Sequence, residues 1–181
     1  MSTYRPPNTI DTVIIHCAAI PNGRGDTIED IDRWHHDRNF KRHSDARLGE
    51  SVWESKPYTM KQPHLRSVGY HVVVHANGGQ AIGRCLTETG AHAKNYNATS
   101  IGICMMGTDK FSLAQWQSLK SVVQGFQTLF DELTIVGHRD VDPHKTCPGF
   151  DVSAWLDGGM QPLENHILND DDEVSHVESI S

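Results

Sequence analysis

The chain has 181 residues, a hydrophobic fraction of 37% and a mean hydropathy of −0.48. That is about one domain, with enough apolar side chain for a core without disulfide staples. Its apolar runs are strand-sized, so no membrane span is expected. The formal net charge of −7 argues against nucleic acid as a partner, because phosphate binding wants a basic face.

In chain order, MSTYRPPNTIDT lacks the basic start and apolar stretch of a secretory signal, which implies a protein that begins in the cytoplasm. Thr12–His16 reads as a buried, β-branched strand. After PNGRGD, Thr27 is an N-cap with Asp30 three places on, and Ile28, Ile31 and Trp34 give an apolar stripe, predicting a helix to about Asn39. From 41 to 67 the periodicity fades into polar, Pro-containing sequence, read as a surface excursion or insertion. Gly69–His75 predicts a strand, Ala76-Asn77-Gly78-Gly79 a hairpin turn and Gln80–Arg84 the returning strand. Ser100–Met106 predicts another strand. Ser112 with Gln115 forms a capping box for a long helix with Leu113, Trp116, Leu119, Val122, Val123, Phe126 and Phe130 on its core face. Leu133–Val136 predicts a short strand and Asp151–Leu156 a closing helix. The expected fold is α/β, a single domain with a mixed central sheet flanked by helices. Residues 1–164 form the domain, with 41–67 as an insertion. Residues 165–181, ending in NDDDEVSHVESIS, form an acidic flexible tail.

Four cysteines read as reduced thiols, Cys17 and Cys104 as small buried hydrophobes. Cys147 differs, because it sits in a polar loop, GHRDVDPHKTCPG, together with His138. His16 ends the first strand. Two imidazoles and a thiolate are the donor types of a zinc site that keeps its fourth position open. A strand-end histidine also fits a hydrogen-bonded structural role, and twelve histidines make chance pairings easy. Spacing alone leaves both readings open.

Four blocks then stand in one order: VIIHCAA, GYHVVVHANGGQAIGR, GAHAKNYNATSIGICMMG and GHRDVDPHKTCPG. Together they resemble the zinc-dependent N-acetylmuramoyl-L-alanine amidases of type 2, a family that includes phage endolysins and peptidoglycan-recognition proteins. The resemblance runs from about Asp11 to Leu156. It implies Zn²⁺ on His16, His138 and Cys147, Tyr70 facing the water that attacks, Lys145 stabilising the developing oxyanion, and His92 in the substrate cleft. Asn97 matches a position read as structural, and His71, opposite Tyr70 on its strand, reads as packed or hydrogen-bonded. His35, His36, His43 and His64 have no partner that sequence can name.

The implied activity is cleavage of the amide between N-acetylmuramic acid and the L-alanine of the stem peptide. The implied setting is a phage endolysin, held in the host cytoplasm until released to the cell wall, acting on peptidoglycan or muropeptides as a monomer. Contact with a phage polymerase is a further possibility within this group. Alternatives are a non-catalytic peptidoglycan-binding module and a cytosolic muropeptide-recycling amidase. The recycling enzymes differ in the third ligand and carry an acidic residue, so Cys147 with Tyr70 points to the phage group. Two departures stand out. The HRDVDPHKTC loop is one residue longer than in the compact phage enzymes, putting His144 beside Lys145 as a competing ligand or a solvent-facing residue. The 41–67 excursion replaces a short connection.

Overall fold

The computed structural model describes residues 5–42 and 64–169. Positions 43–63 of the expected insertion, including His43, and positions 170–181 of the expected tail lie outside the described residues.

Thr12–Cys17 (β1) and Ser100–Met105 (β4) pair in parallel along their whole length. Every residue of β4, and all of β1 after Thr12, is buried, as expected of parallel strands covered on both faces. Thr134–Gly137 (β5) flanks β1, and Val72–Val74 (β2) flanks β4, both in parallel. Gln80–Ile82 (β3) closes the edge as the antiparallel arm of a hairpin with β2. The order is β3-β2-β4-β1-β5, the mixed sheet expected. At the hairpin, Gly78 has φ +82° while Asn77 does not take a positive φ, and the Gly78 N–H donates to the His75 carbonyl, a loop closed by a left-handed glycine rather than the two-residue turn typical of Asn-Gly.

Helices cover the two faces. Leu113–Leu129 (α2) lays Trp116, Leu119, Val123 and Phe126 on the Val13, Ile15, Ile101, Ile103 and Met105 side of the sheet. Trp155, from Val152–Asp157 (α4), and Phe150 complete that core. Ile28–Asp37 (α1) lies over the opposite face, with Ile28 and Ile31 packed near Val73, Cys104 and Met106. Both capping boxes expected at Thr27/Asp30 and Ser112/Gln115 are present.

Several expectations need correction. Leu113 is 56% exposed, so the first residue of α2 stays in solvent while Gln115 and Trp116 of the same turn are buried. On α1 the third buried stripe position belongs to His35, while Trp34 is only partly buried. The helix ends at Asp37 and not Asn39, whose φ of +59° breaks the helical path. The regular part of β2 spans three residues; the His71 N–H just before it donates to the Gly102 carbonyl of β4, and the N–H groups of Ser67, Val68 and Gly69 farther back are taken by α1 side chains. The ligand loop holds a one-turn helix, His138–Val141 (α3), that polar composition concealed. The expected tail does not begin at 165. Residues 165–168 are docked, with Phe111 N–H donating to the His166 carbonyl, Leu168 N–H to the Phe111 carbonyl, and Trp116 Nε1 to His166.

A buried ion pair pins the chain at residue 42. Arg42 Nη2 meets Glu88 Oε2 at 2.6 Å, and the same carboxylate accepts the Cys85 N–H. Breaking such a pair strands a buried charge. Glu88→Ala is expected to destabilise the fold by about 3–5 kcal/mol in urea titrations, whereas Leu113→Ala should stay within about 0.5 kcal/mol. Equal effects of the two would refute this assignment.

Candidate metal centre and cleft

The site sits on the α1 face, at the carboxyl ends of the parallel strands, where open α/β sheets place their ligands. His16 is the penultimate residue of β1, and His138 follows β5 directly. Because β1 and β5 are neighbours in register, the two imidazole centroids come to 4.5 Å. Cys147 is brought back by its own backbone, since the Arg139 N–H donates to the Cys147 carbonyl at 2.8 Å. The donor atoms of His16, His138 and Cys147 all lie within 4.8 Å of one another. A tetrahedral zinc ion spaces its ligand atoms by roughly 3.3–3.8 Å, so the trio needs a closure of about 1.5 Å or less. Two imidazoles and a thiol are a borderline-soft donor set that suits zinc and not Mg²⁺ or Ca²⁺.

The electrostatics fit the same use. Burial, then His92 and His138, hold His16 well below the ordinary imidazole range. Burial, then Lys145, lowers His138. Both rings are therefore neutral, as ligands must be. Hydrogen bonding with the Cys17 thiol, then burial, keeps the Cys147 thiol protonated. A bound cation reverses that preference, and the Cys17 N–H, 3.0 Å from Cys147 Sγ, already favours a thiolate there.

His92 lines the cleft and also contacts His16, Nδ1 to Nε2 at 3.0 Å. One pair of tautomers satisfies every contact around this bond. The Ser100 hydroxyl donates to the Tyr96 carbonyl, so its oxygen accepts from His92 Nε2. His92 Nδ1 is then an acceptor, His16 Nε2 the donor, and His16 Nδ1 keeps a free lone pair for a metal. Asn97, as expected, is structural, with Oδ1 accepting the N–H groups of His92 and Ala93. There is room for the His92 ring because position 102 is glycine, where a Cβ would collide with it.

Tyr70 stands half-buried, its ring 5.1 Å from His16. Burial, then the neighbouring thiols, raise its hydroxyl pKa well above the ordinary value. Lys145 is exposed on the rim of the same cleft, a space of about 670 Å³. His144 is exposed there too, and its N–H donates to Asp142 Oδ1; it is outside the donor trio. His71 is packed as expected, with Gly102 N–H donating to Nδ1 and Nε2 donating to the Glu88 carbonyl.

Sequence reasoning left His35 unassigned. It is buried, lines the cleft and accepts the Gly69 N–H. Its position seven residues after Ile28, on the apolar face of α1, was the available signal.

This fold and cleft agree with the protein's relatives. Residues 6–150 match the family described as N-acetylmuramoyl-L-alanine amidase. The chain belongs to that family. Among its relatives, the endolysin of Enterobacteria phage T3 is 29% identical over 160 residues, covering 84% of this chain and 89% of that protein. The endolysin of Escherichia phage T7 is 28% identical over the same length and shares of each chain. Of solved structures, the amidase LysC from Clostridium intestinale URNW superposes with a TM-score of 0.63 at 19% identity, covering 88% of this chain and 93% of that one. That last likeness concerns the fold.

Two buried histidines away from the donor trio make the amidase sensitive to acid. Burial, then Arg38 and Arg84, lower His35 to about 4; burial, then Arg5, holds His71 well below its usual range. Their unfolded values are about 6.5, so below that pH the unfolded chain binds more protons than the folded one. Stability is therefore fully present above about pH 6.5 and is lost as the pH falls, by up to about 1.4 kcal/mol per pH unit for each group. Urea titrations at about pH 7 and about pH 5 should show this drop, and a shallower one in His71→Gln. A flat profile would contradict the neutral assignment.

Proposed function

We propose that the chain is a zinc-dependent amidase, with His16, His138 and Cys147 as the metal ligands, that cleaves the bond between the lactyl group of N-acetylmuramic acid and the L-alanine of the stem peptide. The observation that carries this reading is that, among the described residues, His16, His138 and Cys147 bring their donor atoms within 4.8 Å of one another on the cleft wall, a trio that leaves a tetrahedral ion one open position. When bound, zinc supplies a Lewis acid for the scissile carbonyl and a water of lowered pKa.

The remaining roles fall to the chain itself. Lys145 presents an ammonium to the cleft and stabilises the negative charge that grows on the carbonyl oxygen. Tyr70, with a phenol that stays protonated at neutral pH, orients the attacking water. His92 holds His16 in the tautomer that leaves Nδ1 free, a supporting contact of the kind that tunes metal sites, while its place on the cleft wall lets it also meet substrate. The likeness to the endolysins of phages T3 and T7 supports host lysis as the setting, with the protein kept in the host cytoplasm until it is released to the wall. The described residues contain no helix long and apolar enough to cross a membrane.

The deciding experiment uses purified protein and peptidoglycan, untreated, chelated, and chelated then resupplied with zinc, with products read by mass spectrometry. Stem peptides bearing a free L-alanine amine, lost on chelation and restored by zinc, are expected. Binding without cleavage would instead indicate a recognition module. Cys147→Ser should lose both zinc and turnover. Lys145→Ala should keep zinc and lower kcat by about 10²–10³; unchanged turnover would remove Lys145 from the mechanism.

A further inference from the structure

We propose that Asp32 and His35 of α1 are positioning residues for Tyr70, holding the three consecutive backbone N–H groups that deliver the tyrosine to the cleft. The proposal rests on the role of Tyr70 given above and adds what sets its place.

The chain entering β2 has no strand partner for its N–H groups at Ser67, Val68 and Gly69, and α1 supplies one for each. Asp32 Oδ1 accepts from Ser67 at 2.6 Å and from Val68 at 2.7 Å. His35 Nδ1, one helical turn on and so on the same face, accepts from Gly69 at 2.9 Å. Two of the three bonds go to a carboxylate, which makes them shorter and stronger than neutral ones. Burial keeps His35 neutral across the working range, so its Nδ1 stays an acceptor.

Close packing makes the clamp specific. A side chain at position 69 would collide with the Ala91 carbonyl and reach the His35 ring. Glycine therefore lets the backbone lie against the imidazole one residue before the tyrosine. The Tyr70 ring then sits between two imidazoles, with centroids 5.3 Å from His35 and 5.1 Å from His16. His35 lines the cleft without belonging to the donor trio, and Asp32 lies outside both. The clamp thus acts on the tyrosine and not on the metal.

The test is a double-mutant cycle on the full chain, read as kcat, KM and zinc content. Asp32→Ala and His35→Ala should each lower kcat by about 10- to 100-fold, since a displacement of about 1 Å can cost about 10²-fold, with KM and zinc stoichiometry retained. Asp32→Asn and His35→Asn, which keep an acceptor in place, should stay within about threefold of the parent, and in a Tyr70→Phe background the alanine changes should have no further effect. Should an alanine variant fail to fold, Asp32→Ser and His35→Ser carry the same cycle. Loss of zinc, or an equal loss of kcat in the Tyr70→Phe background, would show a merely structural clamp and overturn the proposal. Full activity of Tyr70→Phe alone would instead remove the role of Tyr70, and the proposal with it, by a separate result.

Discussion

Parallel pairing of β1 with β5, in register from Thr12 opposite Thr134 to Ile15 opposite Gly137, is the constraint on which the site depends. Two strands that run the same way in register put the residues after their last paired positions side by side, and here those residues are His16, still within β1, and His138, directly after β5. Neither could be placed as closely by a loop, since loops move and strand ends do not. The third donor is tied to the same frame by a backbone bond, Arg139 to Cys147, and by the Cys17 N–H on its sulfur. The candidate metal centre is therefore a property of strand register first and of side-chain choice second.

β4 shapes the space beside it through simple alternation. Ile101, Ile103 and Met105 point to the α2 core, so Ser100, Gly102 and Cys104 turn to the α1 side. Small residues at 100 and 102 leave room for an imidazole, and His92 fills it. The serine oxygen then orients that imidazole, and through it His16. A bulky aliphatic residue at either position would be ordinary in a buried parallel strand, but it would close the second layer of the site.

The sheet and the two main helices were legible in sequence because their apolar periodicity and capping boxes are local signals. Thr27 with Asp30, Ser112 with Gln115, and the runs at Thr12–His16 and Ser100–Met106 required no knowledge of distant residues. The donor trio became legible only through the combined motif blocks, since no local rule relates residues as far apart in sequence as His16 and Cys147. His35 was missed because a polar residue on an apolar stripe reads as an exception until its partner is seen, and that partner is a backbone N–H 34 residues away. Leu113 was misplaced for the converse reason. Its spacing fits the stripe, but at the first position of α2 its side chain stays in solvent, while Gln115 and Trp116 of the same turn are buried.

Burial of so many neutral imidazoles in one region has two physical consequences that pull in the same direction. Desolvation is the leading cause of the lowered pKa at His16, His35, His71, His92 and His138 alike. For His16 and His138 it keeps lone pairs available to a cation, which proton competition would otherwise weaken. For His35, His71 and His92 it keeps one ring nitrogen an acceptor, on which the bonds to Gly69, Gly102 and His16 each depend. Protonating any of these rings adds a charge to a dry site and destroys an acceptor at the same time. Acid therefore acts on the fold and on the donor set together, and the same desolvation that readies the cleft for a metal limits the pH range over which the cleft persists.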